Sequence, residues 1–177
     1  MIYIGIDPGL HGAVGTLIEE PEIETYDMDG SAGRRPTGKT ILTPHVFDTP
    51  TVEVDGKFKY LVGGMALLLK PFANRSNVLA ILEDVHSMPK QGVASSFNFG
   101  VGKGVWLGIL GAYEIPFELV SPQRWKKFMS LDKDKNAARL KASQMFPSIA
   151  EQFKLVKYDG RAEAILMAEY GKRLYTK

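Results

Sequence analysis

An α/β fold, with a mixed sheet covered by helices, is what the sequence predicts. Three observations carry it: a run of short apolar strands at the start, strand–helix alternation after residue 78, and a length of 177 residues that suits one domain over 1–177. Hydrophobic residues make up 45% and charged residues 24%, the balance of a globular protein rather than a disordered one.

Residues 2–6 (IYIGI) form an apolar run that stops at Asp7-Pro8-Gly9, a buried strand closed by a turn. Residues 12–18 and 23–28 read as two further strands in an antiparallel start. Residues 29–50, rich in Gly, Pro, Thr and Ser, read as a loop carrying Arg34, Arg35 and Lys39. Alternation on either side of Asp55-Gly56 marks an extra hairpin near 51–62, and a short helix follows at 63–70. Residues 78–82 (VLAIL) are an apolar strand running into Glu83. Helical character over 93–113, a strand at 116–120, helices at 122–130 and 135–146, and a last helix at 160–174 complete the chain. There is no internal repeat and no linker.

Several function classes drop out at this level. With no cysteine, disulfides, thiolate metal sites and cysteine nucleophiles are excluded, which fits a cytoplasmic setting. The N-terminus lacks the basic and apolar regions of a secretory signal, and no window offers the ~18 apolar residues of a membrane span. Gly5, Gly9 and Gly12 have the wrong spacing for a dinucleotide fingerprint, so no nucleotide cofactor is expected. Net charge is +2, unevenly spread: seven acids and no Lys or Arg precede Arg34, whereas 122–141 holds seven basic side chains. Such a stretch suits an anionic partner such as nucleic acid, with a solvated helix face as the plain alternative.

A carboxylate at the end of a buried apolar strand needs a reason, because an unpaired buried charge is heavily penalised. It happens twice, at Asp7 and Glu83. Asp159 and Glu163 add a pair four residues apart on one helix face. Converging carboxylates would need a cation, and hard divalent ions with oxygen ligands, Mg²⁺ or Mn²⁺, match them. The plain alternatives are a turn former at Asp7, a helix cap at Asp159 and a surface charge at Glu163. Asp84, next to Glu83, should point to the other face of the strand.

IGIDPGLHGAVG at 4–15, AILEDV at 80–85 and GRAEAILMAEYG at 160–171 resemble, in order and separation, the motifs of RuvC-like Holliday junction resolvases in their phage-type form. The resemblance spans nearly the whole chain, least so over 30–77. It implies a ribonuclease H-like mixed five-stranded sheet, and cleavage of branched DNA, the four-way junction, by metal-dependent hydrolysis leaving 5′-phosphate and 3′-hydroxyl ends. The host would be a bacterial or phage-infected cell. Asp7, Glu83 and Glu163 match the acidic positions of the family. Where the family commonly has another acid this chain has Gly160, so Asp159, one residue earlier, stands in as the fourth. Two ions per site are implied, with all four carboxylates as catalytic metal ligands.

Gly100, Gly104, Gly108 and Ala112 recur every four residues within the 93–113 helix, at a cost of about 1 kcal/mol per glycine relative to alanine. Close packing on the chain's own sheet would account for this, as would the seam of a homodimer, which the resemblance implies; Trp106 and Phe99 would lend apolar surface. Arg124, Lys126, Lys127, Lys133, Lys135 and Arg139 are the expected DNA contacts. By resemblance Lys126 or Lys127 lies near the scissile phosphate, and His86 occupies the region that helps to open the junction. His11 and His45 are read as structural. Three alternatives stay open: a less specific nuclease for branched or flap DNA or RNA–DNA hybrids, a non-catalytic DNA-binding module, and an actin-like ATPase. The last shares the Asp-Pro-Gly turn but needs two domains.

Overall fold

A computed structural model describes residues 1–28, 31–86, 92–131, 134 and 136–176. Its central sheet has five strands: β1 (Ile2–Ile6), β2 (Ala13–Met28), β3 (Ser31–Asp48), β6 (Val78–Glu83) and β7 (Phe117–Val120), in the order β3-β2-β1-β6-β7. The first three pair antiparallel, while β1–β6 and β6–β7 are parallel, so the sheet is mixed as expected. β4 (Thr51–Val54) and β5 (Lys57–Tyr60) form the separate hairpin around Asp55-Gly56. Helices α1 (Val62–Leu69), α2 (Val93–Ala112), α3 (Pro122–Phe128), α4 (Ala137–Met145) and α5 (Asp159–Tyr175) cover the sheet.

Strand alternation sorts the core into two layers. Ile2, Ile4 and Ile6 of β1, with Val78, Ala80 and Leu82 of β6, pack on one face against α1 and α2. Tyr3 and Ile81 pack on the other, with Trp125 of α3 and the apolar side of α5. Gly5 and Gly15 admit α5 directly onto the strands. A Cβ on Gly5 would stand 2.0 Å from the Ala164 carbonyl oxygen, and one on Gly15 2.5 Å from the Ile165 nitrogen. The last helix is therefore seated backbone to backbone on β1 and β2.

Where a loop is expected over 29–50, residues 31–48 are instead a strand. β2 and β3 run on as one long hairpin arm past β1, which pairs only with residues 14–18 of β2. Pro36 and Pro44 are tolerated because β3 is an edge strand, and Pro21 sits at the register shift between Pro21 and Ile23. Cross-strand pairing zips the arm: Arg35 Nε donates to Glu24 Oε1 at 2.5 Å, and the Thr37 hydroxyl to Glu22 Oε2 at 2.6 Å. The two strands expected at 12–18 and 23–28 are thus one.

Along α2, Cβ atoms built on Gly100, Gly104 and Gly108 meet nothing within 4 Å, and Ala112 is exposed. Packing on the chain's own sheet therefore does not account for these glycines. Trp106 does not join that stripe. It is 0% exposed, because it faces the sheet with Leu110 and Ile109.

Candidate active site

The parallel register of β1 and β6 runs from Ile2 opposite Val78 to Ile6 opposite Leu82. Continued by one residue, it sets Asp7 beside Glu83, and alternation turns both toward the face covered by α5. Glu163, on the first turns of α5, comes over the same strand ends because α5 is seated on Gly5 and Gly15. The Asp7 backbone is fixed on both sides: its N–H donates to the Ala13 carbonyl at 3.0 Å, and the Gly9 N–H donates to its Oδ1 at 3.1 Å.

The charge of Glu163 reaches both Asp7 and Glu83, and that of Asp7 reaches Glu83. Burial, offset by the Gly9 hydrogen bond and reinforced by Glu163, lifts Asp7 to about 6. Burial and then the charge of Asp7 lift Glu83 to about 7. Lys126 of α3 supplies the compensating cation. Its ammonium lies 2.6 Å from Glu163 Oε1, and the pull of Glu163, Glu83 and Asp7 outweighs burial and raises its pKa. Trp125, the preceding residue, donates Nε1–H to Glu83 Oε1 at 2.8 Å. Both reach the site because Ser121 caps α3 by accepting from the Arg124 N–H, and Pro122 starts the helix.

Removing the indole donor leaves one Glu83 oxygen unpaired in a buried place. Trp125→Phe should therefore move the titration profile of the Glu83 carboxyl upward by about one unit, read by carboxyl ¹³C NMR between pH 5 and 9. An unmoved profile would mean that the bond has no part in setting Glu83.

Asp159 lies elsewhere in the same neighbourhood. It lines, with Asp7, a cavity of about 360 Å³ walled by Gly9, His11, Tyr60, Asn98 and Phe99. Its Oδ1 is 2.8 Å from Arg139 Nε, an ion pair without good hydrogen-bond alignment. It does not contribute to the raised pKa of Asp7 or Glu83. Gly160 is explained by packing: a Cβ there would stand 2.5 Å from the His11 carbonyl oxygen and 3.1 Å from Asp7 Oδ2. No side chain, acidic or otherwise, fits at that position unless the 7–12 turn moves.

Several of the basic residues expected to contact DNA have partners within the chain. Arg139 is 13% exposed and binds Asp159, the Lys154 carbonyl and Asn136, which makes it a tie between α4 and the start of α5. Lys126 belongs to the carboxylate cluster. Arg124 pairs with Glu118 at 3.1 Å, and Lys127 is exposed. Lys133 and Lys135 lie outside the described residues. Phe99 faces the Asp7 cavity rather than only the α2 surface. Asp84 points away from Glu83, as strand alternation requires, and binds Lys103 of α2 and His86.

Sequence reasoning missed Trp125 and Tyr60. The Tyr60 hydroxyl lies 3.0 Å from the Pro8 carbonyl and 3.1 Å from that of Asn98, bracing the Asp7 turn against α2. Burial and the nearby Asp7 charge push its pKa up to about 12, so it stays a neutral donor. The hairpin that carries it was legible, but the contact was not.

Among the described residues, no three acidic or histidine side chains converge closely enough to cage an ion. The donor chemistry nonetheless suits a hard divalent cation: every candidate ligand is a carboxylate, and burial together with neighbouring negative charge lifts two of them above the usual carboxylate range. This makes a stability prediction. For an acid whose folded pKa is raised, stability is present below its unfolded pKa and is lost as pH rises through the folded value. For Asp7 and Glu83 that window runs from about 4 to about 7. Metal-free protein should lose Tm across it, Asp7→Asn should flatten the loss, and Mn²⁺ or Mg²⁺ should restore Tm in the wild type at pH 7.5. Parallel Tm profiles for wild type and Asp7→Asn would contradict the coupling.

No family model matches the chain, and no curated protein matches it. Solved structures do. RuvC from T. thermophilus in complex with a Holliday junction substrate superposes over 99% of this chain and 98% of its own, with a TM-score of 0.55 at 14% identity. A Thermus thermophilus RuvC structure matches over 98% and 96%, with a TM-score of 0.54 at 17% identity. Taken with the β3-β2-β1-β6-β7 sheet and its flanking helices, these similarities show that the chain has the RuvC-type, ribonuclease H-like fold.

Proposed function

We propose that the chain is a structure-selective DNA endonuclease that resolves four-way junctions by hydrolysing phosphodiesters in two strands. The observation that carries this reading is the single electrostatic site shared by Asp7, Glu83, Glu163 and Lys126 at the strand ends of a RuvC-type fold. Similarity to a RuvC that was solved on a Holliday junction supports the branched substrate.

Asp7, Glu83 and Glu163 would hold divalent cations, Mg²⁺ or Mn²⁺, with Asp159 reaching the cavity from its far wall. When bound, such ions activate water and stabilise the leaving oxygen. The chain's own part is to hold these oxygens still. Gly9 fixes Asp7, Trp125 fixes Glu83, and α5 carries Glu163. Lys126 would leave Glu163 for a phosphate oxygen as DNA enters, keeping the cluster charge-balanced. Lys127, exposed on the same helix, suits backbone contact.

Two nicks placed symmetrically require two sites, and we assign the dimer seam to the outward face of α2. Gly100, Gly104, Gly108 and Ala112 leave that face open to a second helix, flanked by Phe97 at 70% exposure. Gly104→Leu should weaken self-association by about tenfold, by obstructing close helix approach. Sedimentation velocity over a concentration series checks it, and an unchanged profile would move the seam elsewhere.

Incubation with a four-way junction and with linear duplex, each with Mg²⁺, Mn²⁺ or EDTA, tests the whole reading. The junction should be cut, only with metal, and the duplex spared. Equal cutting of both would favour the less selective nuclease. No cutting under any metal would leave a DNA-binding module.

A further inference from the structure

The turn that supports Asp7 has a second cavity on it. Leu10, His11 and Gly12 belong to the wall of the Asp7 cavity and also to that of a neighbouring one of about 270 Å³, lined besides by Asp48, Thr49, Thr51, Lys157, Tyr158 and Arg161. Arg161 Nε and Nη2 donate to the two Asp48 oxygens, each at 2.6 Å, and the guanidinium lies 4.0 Å from the Tyr158 ring centre. This bidentate grip fixes Arg161 and holds Asp48 below the usual carboxylate range. Lys157, an exposed residue, holds its ammonium over the same ring at 5.2 Å.

Thr49 also points to a ligand in this cavity. It is 3% exposed, and its buried hydroxyl has no hydrogen-bond partner among the described residues. Its N–H donates to the Gly12 carbonyl at 2.9 Å, so it is anchored to the turn that divides the two cavities. A buried hydroxyl with no protein partner calls for one from a ligand or water.

We propose that this cavity holds a backbone phosphodiester next to the scissile one, with Thr49, Lys157 and Arg161 as its donors. The inference rests on the nuclease reading above. Formal charge selects the ligand: Lys157 and Arg161 against Asp48 leave one net positive charge, which matches the single charge of a diester. Position selects the source. A strand whose cleaved phosphate sits at Asp7 and Glu83 crosses the His11–Gly12 wall and enters this cavity. His11 and Arg161, unused by the cleavage chemistry, thereby gain a place along the strand.

The test is a binding scan in the Asp7→Asn protein, which is expected to hold DNA without cutting it. Four-way junctions carry one neutral methylphosphonate each, at the linkages flanking the nick. One linkage should weaken binding about tenfold. In Lys157→Ala and in Thr49→Val that penalty should shrink to about twofold or less, whereas Thr49→Ser, which keeps the hydroxyl, should retain it. If both substitutions leave the penalty unchanged at every linkage while the junction still binds, the subsite is wrong and the nuclease reading stands. If no DNA binds at all, both fall. Inorganic phosphate at constant ionic strength should not compete with the junction. Competition that disappears in Lys157→Ala would reassign the cavity to free phosphate and overturn the diester.

Discussion

Asp7→Asn should lower junction cleavage by on the order of a thousandfold, while binding stays intact or tightens. The expectation follows from position. Asp7 closes β1 beside Glu83, its charge acts on both Glu83 and the Lys126 ammonium, and the charge of Glu163 acts on it in turn. An oxygen ligand that positions catalytic cations is worth several kcal/mol of transition-state stabilisation, and about 4 kcal/mol corresponds to that loss. Binding should not suffer, because the substitution removes a negative charge that phosphate would otherwise meet. Single-turnover cleavage and a gel-shift titration on the same junction read the two effects separately. A wild-type cleavage rate would refute the assignment of Asp7, and lost binding would mean that the turn at 7–12 had collapsed.

Gly5→Ala should be nearly as damaging by a different route. The added methyl would stand 2.0 Å from the Ala164 carbonyl oxygen and 2.5 Å from the Ala168 nitrogen, both backbone atoms of α5. No side-chain rotation relieves that overlap, so the helix must lift from the sheet. A loss of about 3 kcal/mol, or roughly 10 °C in Tm, is expected. Activity should fall further than stability, since Glu163 rides on the displaced helix. A thermal melt with paired cleavage rates below the transition checks both, and an unshifted Tm would mean that α5 is not seated as described.

What was legible in the sequence, and what was not, divides along physical lines. Asp7 and Glu83 stand out because a polar residue closing an apolar strand is anomalous in one dimension. The strands that carry them are marked by composition alone. The β2–β3 arm is hidden for the opposite reason. Exposed on both faces, it shows no apolar alternation, and its pairing joins residues such as Glu24 and Arg35 that lie 11 apart. Read locally, Pro36, Gly38 and Pro44 suggest a loop, and only the edge position makes them compatible with a strand.

In the basic stretch, charge is legible but pairing is not. Arg139 and Lys126 look alike in a charge count, but chain folding binds one to Asp159 and the other to Glu163. Trp125 has no local signal, since its partner Glu83 lies 42 residues away. Trp106 was legible in principle. Gly102, Trp106, Ile109 and Leu110 are spaced as one buried helix face, and the structure buries all four.

On the proposed function, one carboxylate site on this fold cuts junction strands with a divalent metal. Mapping nicks on a four-way junction with each strand end-labelled in turn tests it most directly. Paired nicks at symmetric positions, present with Mn²⁺ or Mg²⁺ and absent with EDTA or in Asp7→Asn, are predicted. Nicks that persist in Asp7→Asn, or an intact junction under every metal, would contradict it.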